Sequence, residues 1–571
     1  MPSAPLPWRG LGLSSNLDPA IPPHPYRLLD AEPGLFDFVE YSAPLSLEEA
    51  REGAPLFAEL WARRERVPVL FHPVHLNLWG PELEPPAVLA LLDAHLRAVG
   101  SAWVGNDVGW WHAGGRPFPG YLFLAPPLSE AGLADAAAHA LHVQAHLSVP
   151  LVLENPPVLA RRGELHVLDF MARLHARTGA PLLLDLGHLW SHQLAAGLPP
   201  TAGLDGFPLE AVVEVHLAGG VVTGPAGGRR VYVDDHTQPV REELFALLEA
   251  LLPRLPALRA LTFEGDGHPA EVAALTLRRL RRLLPARPGA PALPVPHAAG
   301  HSAPYAPRAD AWEAFREAHA GEGADGEGAR AEQDFRLAVL AEELDAAAPL
   351  TRLLLAGTRE GLAAFATSAE YRAGFRPGGQ GPAGALAAWA RRRVREEGLE
   401  ALAPVLAFEG ALEHAAHHAP APPRPGEVAL SAEVRVLHFP LDLTELAFAA
   451  RALRRHLTGR GWASGEVALS GLEALGQVAA RAPRTPWTAV AVRRGRAFEV
   501  AGVGRELAAA LAAAAGGLPL GHLESVAPAE VWRELRRRGW LRLPGGGQGG
   551  SDAGAHGGVQ AGAHGGGGAA G

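Results

Sequence analysis

Glu40, His72, Asp107, Glu154, Asp185, His188, His216 and Glu264 stand at the ends of short apolar runs, and Asp234 and His236 lie in the loop after the seventh run. Carboxylates are almost never fully buried without a partner, so acids at the ends of apolar segments must meet water, a cation or one another. Four or more converging carboxylates repel and take up protons unless metal charge sits between them. The interleaved imidazoles strengthen that reading, because carboxylate and imidazole are ordinary ligands of iron, manganese and zinc. A mononuclear site needs three or four protein ligands. Eight to ten candidates suffice for two or three metals sharing bridging carboxylates, so a multinuclear centre is expected.

What must position them is a set of eight runs beginning at Leu11, Phe36, Val67, Ala102, Pro150, Pro181, Val212 and Leu258. Between them the apolar residues recur at helical spacing over 45–66, 86–99, 128–147, 164–178, 240–252 and 269–284. The first of these begins acidic (LSLEEA) and ends basic (RRER), as a helix dipole favours. Eight strands alternating with helices predict an α/β fold, a (β/α)8 TIM barrel, whose chemistry lies at the C-terminal ends of its strands. The segment 106–127, rich in glycine and aromatics, reads as a long loop at that face.

The chain has 571 residues, too many for one ordinary domain. The barrel is expected over 1–285, a linker rich in Pro, Ala and Gly over 286–329, and a smaller α+β domain over 330–543. From 544 to 571 the chain is a Gly-rich tail expected to be disordered, since it has too little apolar surface to fold. All 51 basic residues are arginine, which reflects genome composition more than function. A net charge of −10 argues against a nucleic-acid partner. Cysteine is absent, which excludes disulfides, thiolate metal sites and cysteine nucleophiles from this chain. With no signal-like N-terminus and no long apolar span, a cytoplasmic protein without membrane contact is expected.

The segments LFHPVHLNLWG around His72, PLVLENPP around Glu154, LLLDLGH at Asp185 and His188, VEVHLAGG at His216, VDDHTQPV at Asp234 and His236, and TFEGDGH at Glu264 form an ordered series. In order and spacing over about residues 8–285 they resemble the multinuclear non-haem iron-dependent oxidases, which include the methanobactin biosynthesis oxidase. The resemblance implies TIM-barrel enzymes that modify ribosomally made peptides with dioxygen, commonly at the β-carbon of a cysteine. It implies iron ligands at His72, Glu154, Asp185, His188, His216, Asp234, His236 and Glu264, with Glu154 able to bridge two irons.

Two positions depart from the family pattern. Asp107 stands where a histidine is usual; it can still bind iron, but its charge would lower the potential of the cluster. His112 could take the histidine's place if its loop folds back. Pro157 follows the LENP stretch where a serine is usual. Asp266, two residues past Glu264, is a candidate to orient a ligand or meet substrate, and with Asp107 it makes up the candidate catalytic pair. Glu40 is expected as a supporting acid rather than a ligand, Trp110 and Trp111 as loop packing, and His414, His417 and His418 as residues of a solvated helix.

Residues 330–543 resemble, more faintly, the partner proteins that hold the precursor's leader, through AEQDFRLAV at 331, APVLAFEGALEHA at 403 and TAVAVRRGRAFEVAGVGRELAAAL at 488. The resemblance implies a fusion of oxidase and peptide-binding subunit that needs no separate partner protein. A peptide could add as a strand to a sheet edge near 488–500. The competing expectations are a xylose-isomerase-like metal-dependent isomerase or endonuclease, and a catalytically silent metal-binding scaffold.

Overall fold

The computed structural model of the chain describes residues 6–42, 55–223 except 75, 230–284 and, with short interruptions, 305–411, 424–449 and 474–542. Each of the eight apolar runs forms a strand: β1 (Gly10–Ser15), β2 (Phe38–Tyr41), β3 (Val69–Phe71), β4 (Val104–Asp107), β5 (Leu151–Glu154), β6 (Leu182–Asp185), β7 (Val212–Ala218) and β8 (Ala260–Glu264). Every neighbouring pair is parallel, and β8 returns to β1, closing the barrel. Such strands are covered on both faces, which is why they read as continuous Val/Leu runs rather than as alternating ones.

One helix follows each strand: α1 (Pro25–Ala31), α2 (Pro55–Arg63), α3 (Pro86–Val99), α4 (Glu130–His146), α5 (Val167–Thr178), α6 (Leu186–Ala196), α7 (Glu242–Leu251) and α8 (Ala270–Leu283). Their starts and stops follow local chemistry. Ser129 accepts the Gly132 N–H at the start of α4, and Gly100, Gly179 and Gly197 end α3, α5 and α6 in the left-handed conformation. The helices' inner faces join the strands in one large apolar core.

The barrel interior is layered. Phe38, Leu70, Trp103, Val152 and Leu183 form an apolar plug. Two residues further along four of the same strands come Glu40, His72, Glu154 and Asp185. Because side chains alternate along a strand, an apolar plug two positions back places each of these groups inside the mouth. Gly12 leaves room for the Phe38 ring, and a Cβ at Gly105 would come within 3.2 Å of His72 Nδ1. Bulk at either position would crowd this packing.

Beyond the barrel, the expected linker over 286–329 contains a helix, α9 (Ala311–Ala320). Asp310 caps it by accepting the Glu313 N–H, and Trp312 and Phe315 pack on Trp110 of the aromatic loop. The boundary expected at 330 falls inside the next helix, α10 (Gly326–Ala347). Helices α11 (Arg359–Ala366), α12 (Ala369–Gly374) and α13 (Gly381–Glu396) follow. All of these belong to the same compact unit as the barrel, which takes in Met1–Gly410 and Ala449–Gln477.

The second compact unit contains an antiparallel sheet in the order Val434–Phe439, Trp487–Arg494, Ala497–Gly502. A further strand, Glu427–Leu430, pairs with Leu518–Pro519 and Leu541–Arg542. The helices Arg505–Ala515 and Ala529–Arg537 pack on its core through Leu511 and Trp532. Trp487–Arg494 is paired on both sides, so the edges of its sheet are Val434–Phe439 and Ala497–Gly502. A strand added near 488–500 therefore has Ala497–Gly502 as its available partner. The tail at 544–571, His75 and the His414–His418 group lie outside the described residues. Among the described residues, no helix is long and apolar enough to cross a membrane.

Candidate metal centre

The barrel brings the strand-end groups together in one buried cluster. Four sets of three donors have their ligand atoms within 4.8 Å of one another: Glu40, His72 and His216; His72, Asp107 and Glu154; Glu154, Asp185 and His188; and Asp185, His216 and Glu264. The sets share members, and Glu154 stands between the second and the third. Its Oε2 lies 3.5 Å from His72 Nε2, and its Oε1 lies 3.5 Å from His188 Nδ1.

Local structure aims each group. Asp185 ends β6 and caps α6, its Oδ1 accepting the His188 N–H at 2.6 Å, so strand and helix present acid and imidazole on the same side. Asn155 fixes this corner: its Nδ2 donates to Asp185 O, and its own carbonyl lies 2.9 Å from His188 Nδ1. His188 Nε2 faces Asp234 Oδ2 at 3.5 Å. Asp234 ends the hairpin strand Val231–Asp234, which pairs with Gly220–Thr223. The absence of a side chain at Gly187 allows it close, since a Cβ there would lie 3.1 Å from Asp234 Oδ1.

Asp234 and His236 extend the cluster to one side. His236 Nε2 is 3.0 Å from Asp234 Oδ2 and 3.8 Å from Glu264 Oε2, while its Nδ1 is 3.8 Å from Asp266 Oδ2. Asp266 also accepts the Asn16 N–H, and so stands behind His236 at the rim. Asp107 lies within the cluster, 3.4 Å from His188 Nδ1 and 3.7 Å from His72 Nε2. Glu40, expected as a supporting acid, lies 3.2 Å from His216 Nε2 and belongs to a three-donor set.

His112 does not fold back to replace the family histidine. Its Nε2 is 2.8 Å from Glu84 Oε1, and its Nδ1 accepts the Gly115 N–H. Trp110 and Trp111 are loop packing: Trp110 meets Trp79 and Phe118 edge-on, and Trp111 stacks on Phe123.

The sequence reading missed Glu214. It is completely buried two positions before His216 on β7, in the otherwise apolar layer. Trp103 Nε1 donates to its Oε2 at 2.7 Å, Thr262 Oγ1 donates to its Oε1 at 3.0 Å, and that Oε1 is 3.6 Å from His216 Nε2. The signal was present in VEVH, since residues two apart on a strand share a face.

Electrostatics shows how unsettled this cluster is on its own. Burial, then the Asp107 charge, drives the Glu154 carboxyl far above its ordinary range. Burial likewise raises Glu40, and lifts Asp185 to about 7 against the pull of His188. Burial opposes charge on the imidazoles, yet Asp107, Glu154 and Glu40 hold His72 up at about 9. The surrounding carboxylates likewise keep His188, His216 and His236 well above the usual imidazole value. For Glu214, burial is outweighed by its His216, Trp103 and Thr262 donors, so its carboxyl is held low.

Buried polar atoms of Glu40, His72, Asp107, Glu154, Asp185, His216 and Asp234 have no hydrogen-bond partner. Atoms of this kind are costly unless something else satisfies them. An oxygen- and nitrogen-rich donor set with shared carboxylates fits two or three divalent or trivalent cations, which would take the place of the protons that burial otherwise forces onto it.

Residues 10–281 match the family described as RiPP precursor modification enzyme MbnB/TglH/ChrH. A UPF0276 protein of Caulobacter vibrioides is 31% identical over 265 residues, 46% of this chain and 89% of its own length. UPF0276 protein BPP1075 of Bordetella parapertussis is 32% identical over 269 residues, 46% of this chain and 90% of its own. Among solved structures, a xylose isomerase-like TIM barrel protein from Mycobacterium smegmatis in complex with magnesium aligns with a TM-score of 0.34 at 13% identity, covering 48% of this chain and 96% of that one. Endonuclease IV from Thermus thermophilus aligns with a TM-score of 0.32 at 20% identity, covering 48% and 98%.

Proposed function

The chain belongs to the RiPP precursor modification enzyme family MbnB/TglH/ChrH, and from that premise we propose that it is an iron- and dioxygen-dependent oxidase of a ribosomally made precursor peptide, acting at a cysteine. The observation that carries this reading is the sharing of Glu154, Asp185, His72 and His216 among four compact donor sets. A single closed ion site would not need such overlap. Two or three ions bridged by carboxylates would.

In this reading His72, Asp107, Glu154, Asp185, His188, His216, Asp234, His236 and Glu264 hold iron, and Glu40 is a further donor. Bound iron would supply the one-electron steps by which dioxygen oxidises a substrate carbon. The protein's own groups do the rest. Glu154, with Oε2 beside His72 and Oε1 beside His188, would be shared between neighbouring donor sets. His216 turns Nδ1 toward Glu154 and Glu264 and leaves Nε2 to Glu40 and Glu214, so these acids set its tautomer and orientation. Asp266 orients His236 at the rim, where substrate arrives. The apolar plug below keeps bulk water from reaching the cluster through the barrel.

Residues 330–543 resemble the leader-holding partners, and a peptide strand on the edge Ala497–Gly502 would raise the substrate's effective concentration at the barrel. A cytoplasmic location is part of the same proposal. The deciding experiment is anaerobic purification with metal counting and Mössbauer spectroscopy, followed by dioxygen-uptake assays with the peptide encoded beside the gene. Two or three irons per chain and peptide-dependent uptake are expected. A fully active sample carrying only zinc or magnesium would overturn the oxidase reading in favour of an isomerase or nuclease, and bound but inert iron would favour a scaffold.

A further inference from the structure

One wall of the approach to the cluster does not come from the barrel. A cavity of about 180 Å³ reaches from His188 and Asp234 outward between the loops at 122–128 and 157–162 and helix α10. Leu122, Phe123, Leu128, Val158 and Phe335 make its sides apolar. Phe335 is a residue of α10, outside the stretch that matches the family.

The helix is held there by a buried ion network. Glu332 Oε2 accepts from Arg162 at 2.6 Å, and its Oε1 accepts from Arg336 at 2.9 Å. Arg336 spends its remaining nitrogens on the carbonyls of Leu122 and Phe123. One turn further along, Val339 occupies the space that a Cβ on Gly120 would need. Loop and helix are therefore fixed to each other around the cavity. The buried Nε of Arg162, which also lines it, has no hydrogen-bond partner.

We propose that this cavity is a specificity subsite for the peptide, taking an apolar side chain of the residue next to the one modified, with Phe335 as the wall that sets its size. The inference rests on the peptide-oxidase reading above. The volume supports one side chain rather than a free small molecule, since whole-ligand pockets run to about 300–1,000 Å³. The walls offer an apolar residue burial. An acidic side chain gains less, because Arg162 and Arg336 are already engaged by Glu332.

The test uses the full iron-loaded chain and capped hexapeptides of glycine and serine around one cysteine, in which a neighbour of the cysteine is Leu, Phe, Ser or Asp. Anaerobic calorimetry measures binding, and dioxygen uptake measures turnover. Leu and Phe peptides should bind about tenfold or more tighter than Ser and Asp peptides, as burial of one large apolar side chain allows. Phe335→Ala should shift the preference toward larger side chains, and Phe335→Trp should fill the space and erase it, with metal content as the control for folding. Equal binding of all four peptides, no binding at all, or a preference untouched by both variants overturns the subsite. Binding with the expected preference but no dioxygen uptake would uphold the subsite and defeat the oxidase reading. Uptake without any preference would do the reverse.

Discussion

Two buried groupings of histidine and carboxylate lie in the same barrel, and they differ in one respect. In the first, Glu84, His112 and Asn77 satisfy one another: Glu84 Oε1 meets both His112 Nε2 and the Asn77 N–H, and Asn77 Oδ1 accepts the N–H groups of Trp111 and His112. None of the three has a buried polar atom without a partner. In the second, at the mouth, most contacts between acid and imidazole are 3.4–3.8 Å, and seven residues carry orphaned atoms. Residue type does not distinguish a structural pin from a metal centre. Whether the polar atoms are already satisfied does.

That contrast breaks most sharply by removing a central donor. His72→Ala and Glu154→Ala are each expected to lose bound metal, with turnover falling by more than the ~10–100-fold that follows loss of a mere supporting residue. Metal analysis and dioxygen uptake measure this, and His112→Ala should keep its full metal complement. If His112→Ala empties the centre as thoroughly as His72→Ala, the division between the two groupings is wrong.

Glu214→Gln gives a smaller effect. It leaves Trp103 and Thr262 in place but takes a charge from beside His216, so metal affinity should fall about 10–100-fold with a changed Mössbauer signature. An unaltered spectrum would show that Glu214 only packs. On the structural side, Glu84→Ala strips His112 and the Asn77 N–H of their acceptor. The cost should be about 1–3 kcal/mol in chemical denaturation, with no change in metal per folded chain.

The smallest effect is confined to acid. Burial pushes the Glu332 carboxyl up, but Arg162 and Arg336 prevail and hold it at about 2. An unfolded glutamate titrates near ~4.3. The stability that Glu332 lends is thus complete above about pH 4.3 and lost as the pH falls toward 2. Urea midpoints followed across that window should drop in the wild type and drop less in Glu332→Gln. Equal slopes would mean that the ion network does not hold α10 to the barrel unit.

Much of the barrel was legible because its strands announce themselves twice. Continuous Val/Leu runs mark segments buried on both faces, and an acid or histidine at the end of a run marks the face where burial stops. Glu40 was ranked below the ligands because nothing local separates a donor from its neighbour. The difference is 3.2 Å to His216, a residue 176 positions away. Glu214 was overlooked because an acid in mid-strand looks like a solvated one until Trp103 and Thr262 are seen to pair with it. The stretch 286–329 read as linker by its proline and alanine, yet Trp312 and Phe315 find buried partners in the aromatic loop.

The amino-acid order alone determined eight segments, their alternation with helices, and the type of group each presents at its end, because strand and helix periodicities and the cost of burying charge are local rules. Only the closed barrel decided which of those groups meet, which atoms go unpaired, and that Glu332, Phe335 and Arg336 of a later helix wall the approach to them. Distances of a few ångströms between residues far apart in sequence are set by packing, and packing is a property of the whole fold.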